Sequence, residues 1–121
     1  MESSVVFLPV SDISKTYHFY HEILKLPVFQ KQGEDLFIFD TGYGYWGSCQ
    51  YSDQRKPLSG PKGVCLSLNL KDNEEVLSMY EKLKDKANIY KEPSLHPKYP
   101  VYSFFIQDPD EYLVEFQKIV L

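Results

Sequence analysis

Glu115 stands in the run Tyr112-Leu113-Val114-Glu115-Phe116-Gln117, a carboxylate set among aliphatic and aromatic neighbours. In an extended chain successive side chains alternate, so Glu115 shares a face with Leu113 and Gln117, and Tyr112, Val114 and Phe116 share the other. A carboxylate on an apolar strand needs a donor, water or a ligand, because burying it unpaired is costly. An edge strand with a solvated outer face meets that need without any ligand. A second polar set recurs with the same period of two: Cys65, Ser67 and Asn69 alternate with Val64, Leu66, Leu68 and Leu70. Cys65 has the chemistry of a nucleophile, yet no histidine is placed to activate it, and a thiol in such a strand is ordinarily inert. Of the three histidines, His18 and His21 fall at helical spacing and read as surface or half-buried groups. His96 lies in a proline-rich loop, where an imidazole serves as a base, a pH-sensitive contact or simply a solvated residue. There is no nucleophile elbow, phosphate-binding glycine loop or HExxH motif. The stretch Gly42-Tyr43-Gly44-Tyr45-Trp46-Gly47 does not join a strand to a helix start, and it reads as a flexible aromatic segment.

The elements that must position these groups can be read from periodicity. A short apolar run at 4–10, broken by Pro9, gives a first strand. Ser11-Asp12 offers a helix start, and Ile13, Tyr17, Tyr20 and Leu24 recur at helical spacing, which predicts a helix over 13–24. Strands follow at 28–32, 36–40 and 48–51, the first two joined by Gly33-Glu34-Asp35. The polar, aperiodic segment 53–63, rich in proline and glycine, is a linker. The pattern then restarts with a strand at 64–70. Lys71-Asp72-Asn73 leads into a helix over 73–86 with Val76, Leu77, Tyr80 and Leu83 on its apolar face, and a strand follows at 88–91. The chain closes with a β-hairpin over 102–118 turning at Asp108-Pro109-Asp110-Glu111. Strand, helix and three strands therefore occur twice, a duplication with a period of about sixty residues. Val10-Ser11-Asp12 and Leu70-Lys71-Asp72 introduce the two helices in the same way. This organisation predicts a single α+β domain of two βαβββ modules, about 4–52 and 64–121, with helices on one side of a curved mixed sheet and a concave face on the other.

Composition narrows the function classes. A chain of 121 residues suits one domain with a real core. The net charge of −4 and the lack of a basic stripe argue against nucleic-acid binding. No apolar stretch approaches a membrane span, and the start of the chain lacks the pattern of a signal peptide, so a cytoplasmic protein is expected. Cys49 and Cys65 form no CxxC and read as free thiols, although spacing alone leaves a disulfide between them open. Aromatic residues make up 16% of the chain, mostly tyrosine, which suits pockets and interfaces.

The opening stretch VVFLPVSDISKTYHFYHEILKLPVF, with its V-x-D, helix and Phe19-Tyr20 pair, resembles the start of the vicinal oxygen chelate superfamily. DPDEYLVEF resembles its closing hairpin, where the usual turn is D-P-D-G. The superfamily includes glyoxalase I, extradiol dioxygenases, methylmalonyl-CoA epimerase, thiol transferases acting on fosfomycin, and bleomycin-resistance proteins. The resemblance implies paired βαβββ modules around a cup, commonly in a homodimer. It also implies a divalent metal held by His or Gln on the first strand, a carboxylate on the fourth, His on the fifth and Glu on the eighth. In this sequence those positions carry Val5, Gln50 (or Cys49, one residue earlier), Cys65 and Glu115. Glu115 alone keeps the family's residue, and an aliphatic Val5 cannot bind a metal.

Two readings follow from the resemblance. In the first, the protein binds a small organic molecule, aromatic or cationic, in the cup without a conventional metal site and without nucleic-acid or membrane partners. Its contacts would be Phe7, Trp46, Gln50, Cys65, Ser67, Asn69, Phe105 and Glu115, with Tyr43 and Tyr45 walling one end. In the second, it is a metal-dependent lyase, isomerase or dioxygenase with one divalent ion at Gln50, Cys65 and Glu115. Whether any reaction is catalysed is left open between them.

Overall fold

The structure is a computed structural model that describes residues 1–60 and 62–119. It divides into two compact units, residues 1–59 and 60–121, with the same internal plan. The first unit contains β1 (Val5–Pro9), α1 (Ile13–Tyr17), a π-helical segment (His18–Ile23), β2 (Val28–Gln32), β3 (Leu36–Asp40) and β4 (Tyr45–Cys49). The second contains β5 (Cys65–Asn69), α2 (Asn73–Leu83), β6 (Asn88–Leu95), β7 (Val101–Gln107) and β8 (Leu113–Ile119). Each forms a four-stranded mixed sheet, ordered β1-β4-β3-β2 and β5-β8-β7-β6, in which the first strand runs parallel to the last and the other pairs are antiparallel. The architecture is α+β, two βαβββ modules.

Both helices start on an aspartate, as the matched sequence around them requires. Asp12 accepts hydrogen bonds from the backbone N–H groups of Ser14 and Lys15, and Asp72 from that of Glu75. Each helix then buries its apolar stripe on one face of its own sheet. In the first module Tyr20 lies 5.3 Å from Phe39 and Tyr17 lies 4.7 Å from Phe37, ring to ring. In the second, Tyr80 meets Phe104 edge-on at 5.5 Å, and Phe104 stacks on Phe116 at 5.2 Å. Val76, Ile106 and Val114 complete that core with no exposed surface.

Three elements differ from the expectation. The first helix is α-helical only to Tyr17 and then widens, with Leu24 N–H bonded to the carbonyl five residues back at Phe19. Phe19 and Tyr20, adjacent in this wider segment, are both buried. The fourth strand spans Tyr45–Cys49 rather than 48–51, because the glycine of Trp46-Gly47-Ser48 is a strand residue covered by a side chain, not a loop residue. The sixth strand continues to Leu95, past Pro93, by shifting register between Lys91 and Ser94, as an edge strand can.

The closing hairpin turns where expected. Asp108 is buried, and its Oδ1 accepts the N–H groups of Asp110 and Tyr112 at 2.8 and 2.9 Å. Glu111 completes the turn at φ 66°, a conformation natural to glycine. Lys62 Nζ donates to the Asp110 carbonyl, tying the start of the second unit to this turn.

Candidate functional site

Register decides which side chains share a face. In the second module Ser67 stands opposite Glu115, which stands opposite Phe105, which stands opposite Lys91. Two residues along, Asn69 pairs with Gln117 and Gln117 with Ser103. In the other direction Cys65 pairs with Leu113. All of these alternate with Leu66, Leu68, Phe104, Val114 and Phe116, the residues turned to α2, so they occupy the face away from the helix. Cys65, Ser67 and Asn69 are exposed, and Phe105, Glu115 and Gln117 are half-buried.

The polar groups on this face are joined across β5 and β8. Ser67 Oγ donates to Glu115 Oε1 at 2.6 Å, and Gln117 Nε2 donates to Asn69 Oδ1 at 2.8 Å. Cys65 Sγ lies 3.8 Å from Ser67 Oγ. Burial pushes the Cys65 thiol up, and the Glu115 charge adds to that, while the Ser67 hydrogen bond opposes it. Among the described residues no Lys, Arg or His pairs with Glu115. The face therefore presents a carboxylate with one neutral donor, an aromatic wall and an amide pair. Gln117 and Ser103 were not singled out by sequence reasoning. Gln117 carries the signal that could have found it, the period of two from Glu115.

In the first module Phe7 and Val5 also lie on the face away from the helix, closing over Gly47. Trp46 does not join them. It pairs with Phe39, turns to the helix face and is 5% exposed, so the expectation that it lines the same surface as Phe7 is corrected. Gln50 is likewise displaced. It lies just beyond β4, and its Oε1 accepts the N–H of Ile13 at 2.9 Å, capping the first helix rather than facing a ligand. Tyr45, Gly47 and Cys49 are the β4 residues on the Phe7 face, and Cys49 is buried, which pushes its thiol up. Tyr45 meets Phe29 with the rings tilted and their centroids 4.3 Å apart, whereas Tyr43 is fully exposed.

The histidines serve local structure. His18 pairs with Glu22 at 2.6 Å, and His21 Nδ1 donates to the Leu26 carbonyl at 2.8 Å. His96 Nδ1 accepts the N–H groups of Lys98 and Tyr99, both at 3.0 Å. Nδ1 therefore holds a lone pair and the neutral ring carries its proton on Nε2, so His96 offers no free basic nitrogen.

These placements test the metal that the fold family implies. Val5 has no donor atom, and Gln50 Oε1 accepts the N–H of Ile13. Glu115 is the one carboxylate at a ligand position, and among the described residues no three His, Cys, Asp or Glu side chains cluster. A conventional zinc or catalytic site uses three or four deprotonated ligands, and this donor set does not fit one.

Comparison with known proteins agrees with the fold. The model of the Glyoxalase/Bleomycin resistance protein/Dioxygenase superfamily matches residues 4–116, and the chain belongs to that superfamily. A glyoxalase/bleomycin resistance protein/dioxygenase from Alicyclobacillus acidocaldarius superposes with a TM-score of 0.78 at 18% identity, covering 98% of this chain and 91% of that one. Lactoylglutathione lyase from Agrobacterium tumefaciens superposes with a TM-score of 0.74 at 18% identity, covering 94% and 90%. A family enzyme from Burkholderia phytofirmans gives 0.78 at 18% identity, covering 97% and 98%. At such identities the likeness establishes the fold alone. No curated protein matches the sequence.

Proposed function

We propose that the protein is a small-molecule binding member of this superfamily, taking an organic cation with an aromatic body on the face of the second module that carries Glu115, without a conventional metal centre. The observation that carries this reading is the half-buried carboxylate of Glu115, held by the Ser67 hydroxyl, flanked by Phe105 and paired with no cationic side chain among the described residues. A ligand cation would supply the missing charge, and Phe105 an apolar or π contact. Ser67 and Cys65 border the same ligand, and Phe7 is the corresponding aromatic on the first module's face away from its helix. A homodimer in the cytoplasm is the assembly and location that go with this reading.

The test is a screen of aromatic amines against the full chain, read by the shift of the thermal midpoint and by amide chemical shifts on β5 and β8. Binding that weakens at least tenfold in Glu115→Gln supports the reading. Stoichiometric metal that activates turnover, or amine binding indifferent to Glu115→Gln, overturns it.

A further inference from the structure

The repeated plan makes the two modules comparable position by position. Phe7 faces Gly47 across β1 and β4 where Ser67 faces Glu115 across β5 and β8, and Val5 faces Tyr45 where Cys65 faces Leu113. The hydroxyl and carboxylate of the second module are thus a phenyl ring and bare backbone in the first. Gly47 lets that ring lie down on the strand, since a Cβ there would stand 2.5 and 2.6 Å from Phe7 Cδ1 and Cε1. Phe7 still keeps 39% of its surface exposed. A second ring comes from β2. The register shift between Val28 and Gln30 leaves Phe29 as the extra residue of a bulge, a device that re-aims a side chain. Its ring centroid lies 4.3 Å from that of Tyr45, which shares the face of Gly47, and Phe29 is 57% exposed.

On this face β1 and β4 carry Val5, Phe7, Pro9, Tyr45, Gly47 and Cys49, none of them charged at neutral pH. Asp40 stands opposite Tyr45 on β3, where its Oδ1 accepts the N–H of Gly42 at 2.7 Å. The face is also small. With about 200 Å² for each aromatic side chain, the exposed parts of Phe7 and Phe29 come to about 200 Å². A stable protein interface needs about 800 Å² from each partner, so the occupant that fits is a small molecule. A ligand without charge has least hydration to lose here, and an aromatic one adds ring–ring contacts to the burial of apolar surface.

We infer that the first module carries its own binding site, for a small neutral aromatic molecule that packs on Phe7 and Phe29. This site does not depend on Glu115.

The test is titration of the full chain with indole, benzyl alcohol and cyclohexylmethanol, followed by amide chemical shifts. Cyclohexylmethanol is the more hydrophobic of the matched alcohols, so a preference for benzyl alcohol isolates the ring–ring term. Indole at millimolar concentration should move the amides of Phe7, Phe29 and Tyr45 most. Benzyl alcohol should bind more tightly than cyclohexylmethanol by about threefold or more. Phe29→Leu should weaken indole by about as much, and Gly47→Ala, which forces the Phe7 ring aside, should weaken it too. The mapping and the matched alcohols need only the unaltered chain, so they stand even if a variant fails to fold. Equal or tighter binding of cyclohexylmethanol overturns the inference, leaving a merely apolar patch. Largest shifts on β5 and β8, indifference to Phe29→Leu, or no response to indole also overturns it. So does self-association of the chain that Phe29→Lys abolishes, which would give the face to a second copy.

Discussion

Cys65 shows how far the chemistry of one residue is set by its neighbours. Its side chain reaches the surface, yet burial and the charge of Glu115 hold the thiol protonated at neutral pH, against the opposing Ser67 hydrogen bond. Thiolate, not thiol, attacks electrophiles. In a Cys49→Ala background, Cys65 should therefore react with a disulfide reagent at pH 8 more slowly than a free cysteine. Glu115→Gln removes a charge that disfavours thiolate and should speed the reaction. Stopped-flow labelling checks the sign, and a rate indifferent to the substitution would show that Cys65 is not coupled to Glu115. The turn offers a second test at this scale. Glu111 holds φ at 66°, where a side chain crowds the backbone and glycine does not. Glu111→Gly should stabilise the protein by up to about 1 kcal/mol, because relief of crowding exceeds the added flexibility of the unfolded chain. Glu111→Val should destabilise it by a similar amount in denaturant titration.

The elements show why the sequence disclosed some of the site and not the rest. Strand β5 and the closing hairpin were legible because polar and apolar residues alternate cleanly in them, and a period of two fixes a face once the strand is recognised. Alternation groups Cys65, Ser67 and Asn69 on one face of β5, the family resemblance sets them with Glu115, and the hairpin leaves Phe105 or Phe104 opposite Glu115 until the register is known. The first helix was legible as a helix from its apolar spacing but not as a π-helical segment, which that spacing does not distinguish from an α-helix. Strand β4 was misframed because its glycines look like a loop. Gly47 is there for packing: a Cβ at that position would stand 2.5 Å from Phe7 Cδ1 and 3.1 Å from Val5 Cγ2. Moving the frame back put Trp46 on the helix face and left Gln50 beyond the strand. The same contact makes a prediction. Gly47→Ala should cost about 1–3 kcal/mol by forcing the Phe7 ring aside. Phe7→Ala should relieve much of that cost, so the double variant is more stable than the sum of the single changes allows. Strict additivity in chemical denaturation would mean that the ring does not press on Gly47.

At the scale of the whole molecule, a net charge of −4 draws cations of every kind, so weak metal association at low salt carries no information about a site. What separates a site from an atmosphere is linkage: a ligand bound by the native state alone stabilises it by an amount set by its concentration over its dissociation constant. A family member with a conventional centre should gain steeply from its metal, since three or four fixed ligands bind only when folded. Here Glu115 stands without the family's other ligands, and among the described residues no three His, Cys, Asp or Glu side chains cluster. Nickel, zinc, manganese and iron(II), each at small molar excess in 0.15 M salt, should therefore leave the thermal midpoint unmoved within about 1 °C. An amine that fits the Glu115 face, at a hundred times its dissociation constant, should add about 2.7 kcal/mol. For a chain of this size that is a rise of about 10 °C. Glu115→Gln should abolish most of that rise without lowering the midpoint of the free protein, because the substitution removes an exposed-face charge and not a core contact. A metal that raises the midpoint at one equivalent, and ceases to do so in Glu115→Gln or Cys65→Ser, would reverse the assignment and make this face a metal centre with a thiolate in place of the family's histidine.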